Sequence, residues 1–323
     1  MPEAHHTLPK AYLVGFADKE GAVVVDRHRP PEEQLRAQIR TPIKRISTRP
    51  DQYALRRSTG LDYGPERAFG LMENRIPRLR KALRTGPLSN EDLRDWTRLA
   101  GAQHYRGRNR AVMAGPFREM MDAARAEAEA QGRDGDEAER VFVQTRIYDG
   151  DIAHDPENLA LLAGPNVMQT ALDWFNDMYK CVLTSAAGDF ITSDEPVVLF
   201  DPVAVKNGDR QALKRIPQSQ DCEVTYPLDR RFCLLMSYRR IVSEAYADDS
   251  VVETINARTA WFSRDEVYVA PCDARGQDAA LRAFVNKPAM LASLAARYAM
   301  PPDAEADAQT PWMESKAAAD RAR

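Results

Sequence analysis

The pattern of apolar residues changes character partway along the chain, and this change most constrains the fold. Over about residues 64–180, apolar side chains recur at spacings of three and four, as in Ile76, Leu79 and Leu83, which indicates helices with a buried stripe. Over about residues 181–270, short β-branched and aromatic runs alternate with turn residues, which indicates strands. The sequence therefore predicts an α+β fold with a helical N-terminal half. A mostly antiparallel sheet with covering helices is expected in the C-terminal half.

Capping and turn signals place the individual elements. Gly64-Pro65-Glu66 begins a helix that is expected to continue to Gly86-Pro87, and Ser89 with Asp92 resembles a capping box at the start of the next helix. Further helices are predicted at residues 8–16, 117–131, 137–148, 158–179, 249–262, 277–285 and 288–298. Strands are predicted at residues 22–26, 43–47, 181–185, 190–193, 197–200, 222–226, 232–238 and 266–269.

Length and composition predict one soluble cytoplasmic domain. Residues 1–300 are expected to form a single α+β domain, and residues 301–323 have too little apolar content to fold. The sequence contains no run of 18 apolar residues and no signal peptide pattern, so neither a membrane location nor secretion is expected. The four cysteines are widely spaced without a Cys-x-x-Cys pair, which disfavours a zinc knuckle or a redox pair.

Charge is distributed unevenly along the chain. Residues 1–125 hold 24 Lys and Arg against 15 Asp and Glu, whereas residues 126–323 hold 21 against 33. A basic N-terminal half suits an anionic partner such as nucleic acid or a phosphorylated ligand. The alternative is that the two halves pack on each other with complementary charge. The sequence does not choose between these alternatives.

Three short motifs resemble those of one protein family. The chain opens with His5-His6-Thr-Leu-Pro9-Lys-Ala-Tyr12, residues 190–197 are Phe-Ile-Thr-Ser-Asp-Glu-Pro-Val, and Pro227-Leu228-Asp229 follows later. Together they resemble the bacterial family named domain of unknown function 4238, over most of the chain. One departure is Glu195, where the family pattern has asparagine. The resemblance implies a lineage and a site near these motifs, but no activity.

Ser193 and Asp194 end a predicted strand within the second motif. An acid in that position can serve as a metal ligand or a general base. The alternative is a turn in which both side chains accept hydrogen bonds from nearby backbone N–H groups. For Pro227-Leu228-Asp229 a structural turn is the favoured interpretation.

Glu66 and Glu73 form the second candidate site. They are seven residues apart, so both face one side of a helix. Paired carboxylates can bind Mg²⁺ or Mn²⁺. The alternative is that Glu66 stabilises the helix N-terminus and Glu73 pairs with Arg78.

Histidine and arginine supply the remaining candidates. His6 precedes Pro9 in the opening motif and can transfer a proton near neutral pH, unless the terminus is simply mobile. The densest polar cluster consists of Gln103, His104, Arg106, Arg108 and Arg110. Its arginines suit phosphate or carboxylate groups, although a solvated basic helix end has the same composition.

The favoured hypothesis is a metal-dependent hydrolase acting on a phosphate-bearing substrate such as RNA or DNA. Asp194 with Glu66 or Glu73 would hold the metal, His6 or His104 would move a proton, and Gln103, Ser193 and the arginines would bind substrate. The chain lacks the sequence motifs of P-loop, dinucleotide-binding, serine-hydrolase and zincin sites. The alternative is a non-catalytic module that binds nucleic acid or an acidic protein. The oligomeric state is not predicted.

Overall fold

The structure, a computed structural model, describes most of the chain up to residue 271. The described residues are 4–6, 8–27, 39–46, 48–50, 55–57, 60–107, 110–138, 141, 169, 172–185, 189–201, 222–239, 241 and 244–271. The helices predicted at 277–285 and 288–298, most of those at 137–148 and 158–179, and the tail at 301–323 lie outside the described residues.

Six helices are assigned bounds among the described residues. They are α1 (Lys10–Leu13), α2 (Gly64–Glu73), α3 (Ile76–Thr85), α4 (Asn90–Gly107), α5 (Arg110–Ala130) and α6 (Asp249–Phe262). Residues 172–177 are also helical. None of the helices in the described part of the chain is long and apolar enough to cross a membrane.

The predicted helix from Gly64 to Gly86 is divided into α2 and α3. Pro77 lies in the first turn of α3, where the absence of its N–H costs nothing. In a continuous helix its ring would clash with the carbonyl of Glu73, four residues earlier. The chain therefore turns at Asn74 and Arg75 and starts a new helix. As a result, α2 and α3 are separate helices, and each packs against α4.

The capping box predicted before α4 is confirmed. The Ser89 N–H donates to Asp92 Oδ2 (3.3 Å), and the Asp92 N–H donates to Ser89 Oγ (3.1 Å). At the start of α6, Asp248 accepts a hydrogen bond from the Val251 N–H (2.9 Å). A local side chain thus satisfies one N–H group in the first turn of each helix.

Thirteen strands are assigned among the described residues. They are β1 (Ala4–His6), β2 (Ala22–Arg27), β3 (Ile39–Pro42), β4 (Thr48–Pro50), β5 (Leu55–Arg57), β6 (Gly60–Asp62), β7 (Tyr179–Ser185), β8 (Thr192–Ser193), β9 (Val198–Phe200), β10 (Glu223–Pro227), β11 (Phe232–Ser237), β12 (Glu244–Ala247) and β13 (Glu266–Val269). A five-stranded sheet has the order β12-β7-β11-β10-β9, and a four-stranded sheet has the order β3-β2-β13-β8. β1 pairs with β4, and β5 pairs with β6.

The mixed α+β class is confirmed, but the strands do not separate by chain half as predicted. The four-stranded sheet joins β2 and β3 from the N-terminal part to β8 and β13 from the C-terminal part. Its pairs are antiparallel, as are those of the five-stranded sheet apart from β12, which pairs with β7 in parallel. The strand predicted at 43–47 is wrong. That segment contains a 3₁₀ turn at Ile43–Arg45, and β3 comes just before it.

The largest hydrophobic cluster joins the N-terminal segment, the helices and the five-stranded sheet. Tyr12 from α1, Trp96 from α4 and Tyr226 from β10 are all fully buried within it. Each residue of β10 is buried, because other elements cover both faces of this strand. The candidate site lies where this cluster meets α2 and the end of α4.

Candidate functional site

Three charged side chains meet between α2 and α4. The Arg106 guanidinium donates to Glu73 through Nη1 and to Glu66 through Nη2, with an Nη2–Oε2 distance of 3.2 Å for Glu66. We call Glu66, Glu73 and Arg106 the carboxylate–arginine cluster. The sequence predicted that the two glutamates share a helix face, and the structure adds that Arg106 faces them.

The burial of the cluster is asymmetric. The Arg106 side chain is 1% exposed, whereas the side chains of Glu66 and Glu73 are 25% and 22% exposed. The Phe69 ring lies beneath the guanidinium, with Arg106 Cζ 4.5 Å from the ring centroid, and this contact is a cation–π interaction. The arginine is therefore fixed inside the protein, and the carboxylates face outward.

Burial raises the pKa of Glu73, although the charge of Arg106 and its hydrogen bond oppose the shift. The cluster holds two carboxylates and one guanidinium, so its formal charge is −1 with both acids ionised. A carboxylate that is partly desolvated, held in place and still exposed to solvent is suited to proton transfer.

A layer of buried aromatic and amide groups adjoins the cluster. Gln103 and Trp96 lie on α4, one and nearly three turns before Arg106, and the Trp96 ring meets the Tyr226 ring edge-on at 6.2 Å. The pKa of Tyr226 is raised first by burial and second by the charge of Glu73. Trp96 Nε1, Gln103 Oε1 and the Tyr226 hydroxyl are buried and have no hydrogen-bond partner within the described part of the chain. Of these three groups, the Tyr226 hydroxyl is close enough to Glu73 to feel its charge.

The three segments that carry the family resemblance meet at Tyr12. The Tyr12 hydroxyl donates to the Pro227 carbonyl oxygen (2.7 Å) and shares a hydrogen bond with the Thr192 hydroxyl (2.8 Å). The Tyr12 ring also stacks on Tyr226 with centroids 5.5 Å apart. Tyr12 thus connects the motifs to the layer beside Glu73. Tyr12 belongs to the opening motif, but the sequence did not indicate Tyr12, Trp96 or Tyr226 as site residues. Nothing in their local sequence distinguishes them from ordinary core aromatics.

Ser193 and Asp194 form a turn, and the structure shows no contact between them and the carboxylate–arginine cluster. The Asp194 carboxylate accepts hydrogen bonds from the backbone N–H groups of Arg264 (3.0 Å) and Asp265 (2.7 Å). Ser193 Oγ accepts one from the Glu195 N–H (3.2 Å). These contacts are those of the turn interpretation, and they connect the end of β8 to the turn before β13.

The predicted metal ligands are not gathered into one group. Among the described residues, no three His, Cys, Asp or Glu side chains are placed to hold a metal ion. Glu66 and Glu73 both bind Arg106, and Asp194 binds backbone N–H groups. The set of Glu66, Glu73 and Asp194 therefore does not form the expected site.

The stability of the protein should depend on pH through Asp194. Burial raises the pKa of this carboxyl from 3.8 to about 6. The folded state therefore binds the proton more tightly than the unfolded state does, and protonation stabilises the fold. The stabilisation is complete below about pH 4 and is lost as the pH rises to about 6. After allowance for solvent screening, we expect the free energy of unfolding to fall by about 1–2 kcal/mol over this pH range because of Asp194.

Urea unfolding of the wild type and of Asp194→Asn between pH 4 and pH 7 measures this dependence. The variant should show a smaller fall in free energy of unfolding as the pH rises, whatever its absolute stability. Asp122→Asn, which removes an exposed carboxyl on α5, is the matched control and should follow the wild type. Equal pH slopes in the wild type and Asp194→Asn would contradict the prediction.

The other candidates are placed apart or lie outside the described residues. His104 is half-buried on α4, with its ring 6.1 Å from that of Phe175. His6 belongs to β1 and Arg110 begins α5, but their side chains are not described, and Arg108 is outside the described residues. Cys181, Cys222 and Cys233 are buried cysteines, and burial raises the pKa of the Cys222 and Cys233 thiols.

Comparisons with known proteins agree with the motif resemblance. The model of the family described as "Protein of unknown function (DUF4238)" matches residues 4–273. The chain therefore belongs to this family. Neither the search of curated proteins nor the search of solved structures gave a match.

Proposed function

We propose that this member of the DUF4238 family is a hydrolase of a phosphate-bearing substrate such as RNA or DNA, with Glu73 as its general base. The observation that carries the proposal is the state of Glu73. Its carboxylate is held by the buried Arg106, is 22% exposed, and has a pKa raised by burial. A general base works best when its pKa approaches the working pH.

The proposed reaction uses groups of α2 and α4. The Glu73 carboxylate accepts a proton from a water molecule as the water oxygen attacks the phosphorus. The bond from phosphorus to the leaving oxygen then breaks, and the departing oxygen takes its proton from solvent. Arg106 remains paired with Glu66 and Glu73, so it positions the base. This role differs from the direct phosphate binding predicted from sequence.

The donor set favours the metal-independent form of this chemistry. Glu66 and Glu73 offer the carboxylate oxygens that Mg²⁺ or Mn²⁺ prefers. Both carboxylates already bind the Arg106 guanidinium, so a divalent ion at this position would have to displace a buried cation. We therefore expect activity that persists when divalent ions are chelated.

A non-catalytic binding module is the second candidate. The balance of 24 Lys and Arg against 15 Asp and Glu over residues 1–125 favours an anionic partner. Such a module would hold nucleic acid or an acidic protein without turnover, and its affinity would fall steeply with salt.

The test is cleavage of labelled RNA, single-stranded DNA and duplex DNA, with Mg²⁺, Mn²⁺ or a chelator present. Glu73→Gln keeps the shape of the side chain and an oxygen for Arg106 but cannot accept the proton. We expect a loss of at least about 100-fold in rate, since general base catalysis contributes on that scale or more. Glu119→Gln, on the exposed face of α5, is the matched control and should retain full activity.

The outcomes separate the two candidates. Wild-type protein that leaves all three nucleic acids intact but retains them at low salt supports the binding module and rejects the hydrolase. Cleavage that is unchanged in a folded Glu73→Gln variant places the chemistry elsewhere. Circular dichroism and thermal melting of each variant establish that it is folded.

A further inference from the structure

Three arginines gather around one buried carboxylate at the junction of α3 and α4. Asp95 is 2% exposed, and it accepts hydrogen bonds from Arg75 (2.5 Å), Arg78 (2.8 Å) and Arg98 (3.3 Å). Arg78 also donates to Asp92 (2.6 Å). We call Arg75, Arg78 and Arg98 the arginine triad.

The triad lies on a basic stretch of the chain. Its three guanidiniums are hydrogen-bonded to two carboxylates, Glu91 also acts on Arg78 through its charge, and the triad side chains are 51%, 54% and 56% exposed. Over residues 75–107 the chain holds 8 Lys and Arg against 3 Asp and Glu. The exposed surface of the α3–α4 pair is therefore basic.

The buried carboxylate orients the guanidiniums before any partner arrives. Each guanidinium has five N–H donors in a planar fork, and the bonds to Asp92 and Asp95 occupy one or two of them. An arginine that is already oriented loses less conformational entropy on binding a phosphate. One guanidinium is enough to neutralise the buried Asp95, so neutralisation of this carboxylate alone does not explain why three guanidiniums bind it.

The triad and the carboxylate–arginine cluster lie along one face of α4. Asp95 and Arg106 are 11 residues apart, which is three helical turns plus about 20°, and the rise between them is about 16 Å. α3 meets α4 at Asp95, and α2 meets it at Arg106. Arg75 of the triad is also only two residues from Glu73 along the chain, so the triad and Glu73 are neighbouring sites.

We propose that the arginine triad binds the phosphodiester backbone of a single-stranded nucleic acid and leads the strand along α4 to Glu73. This inference rests on the proposed function and specifies its substrate as a single-stranded oligonucleotide. Planar guanidinium forks match phosphate oxygens in bidentate pairs, and the exposed helix pair presents them in one group.

The test measures affinity separately from turnover. A fluorescein-labelled 12-nucleotide single-stranded RNA is titrated by anisotropy against Glu73→Gln protein in the presence of a chelator, at several salt concentrations. In that background, Arg98→Gln and the double change Arg75→Gln with Arg98→Gln remove one and two triad charges. Arg118→Gln, an exposed arginine on α5, is the matched control.

Each triad arginine removed should weaken binding about fourfold at 0.15 M salt. It should also reduce the slope of log affinity against log salt by about 0.7, the value for one phosphate contact on a single strand. Arg118→Gln should change neither quantity.

Unchanged slopes in folded triad variants would overturn the inference, and the triad would then be an ion-pair network that joins α3 to α4. If the wild type cleaves RNA but the salt slopes of the triad variants are unchanged, the triad is rejected as a binding surface and the proposed hydrolase is not. Slopes that fall with each arginine, in a protein that cleaves nothing, support the triad as a binding surface and reject the hydrolase.

Discussion

Replacement of Arg106 by methionine should lower the free energy of unfolding by about 2–4 kcal/mol at pH 7. Methionine fills much of the same space but leaves Glu66 and Glu73 facing each other without their cation. Breaking a buried ion pair typically costs 3–5 kcal/mol, and the partial exposure of both carboxylates reduces that cost. The cation–π contact with Phe69 is lost as well.

Urea unfolding with Arg98→Met as the matched control measures this effect. Arg98 is also on α4 and also binds a carboxylate, but its side chain is 56% exposed, so its replacement should cost about 0–1 kcal/mol. A cost for Arg106→Met no larger than that of the control would contradict the buried ion-pair assignment.

The loss in free energy of unfolding caused by Arg106→Met should be smaller at acidic pH than at pH 7. Without the arginine the pKa of Glu73 rises further, because Arg106 is the group that opposes the effect of burial. A group whose pKa is higher in the folded than in the unfolded protein stabilises the fold at low pH. This stabilisation is lost as the pH rises. The variant should therefore lie closer to the wild type at pH 4.5 than at pH 7. Adding Glu66→Gln and Glu73→Gln to Arg106→Met should likewise recover part of the loss at pH 7.

Replacement of Gly15 by alanine should destabilise the protein by about 1–3 kcal/mol through steric overlap. A Cβ at this position would lie 2.8 Å from Asp229 Cβ and 3.2 Å from Asp229 Cα. The Gly15 carbonyl accepts a hydrogen bond from the Arg230 N–H (3.2 Å), which fixes the loop against the turn between β10 and β11. Because a backbone atom is in the way, a rotamer change cannot relieve the contact.

Gly70→Ala provides the matched control, with an effect of opposite sign. Gly70 lies within α2, and an added Cβ there meets nothing within 4 Å. Alanine in a helix interior is favoured over glycine by about 0.5–1 kcal/mol, so this variant should be slightly more stable than the wild type. Urea midpoints of the two variants give the comparison. A Gly15→Ala protein as stable as Gly70→Ala would show that the close approach to Asp229 is absent.

Elements with strong local signals were predicted well. The helix predicted at 249–262 agrees with α6, and the Ser89–Asp92 box begins α4 as expected. The strands predicted at 181–185 and 266–269 correspond to β7 and β13, within two residues at their ends. Capping residues, helical spacing and β-branched runs act over a few residues, so they can be recognised without knowledge of the fold.

Contacts between distant segments were not predicted. The pairing of β2 with β13 joins residues more than 200 positions apart, and the parallel pairing of β12 with β7 has no local signal. Pro77 was visible in the sequence, but the apolar spacing on both sides of it suggested one continuous helix. Strand order and pairing depend on how complete elements pack, which short patterns do not encode.

Three of the residues singled out in the sequence contact one another in the structure. Glu66, Glu73, Gln103 and Arg106 were proposed from residue type and spacing, and the structure brings Glu66, Glu73 and Arg106 into contact. Arg106 was expected to bind phosphate, yet it is buried and paired with both glutamates. The sequence shows that an arginine is present but not whether it faces solvent, and that difference decides whether it binds a ligand or positions a base.

The sequence by itself determined the α+β class, the family, and most helices and strands, because those features follow from local periodicity, capping and motif identity. Only the tertiary structure decided that Tyr12 joins three distant motifs, that Asp194 belongs to a turn, and that Arg106 sits between Glu66 and Glu73. The physical reason is that burial and pairing depend on packing between elements, whereas helix and strand formation depends largely on neighbouring residues.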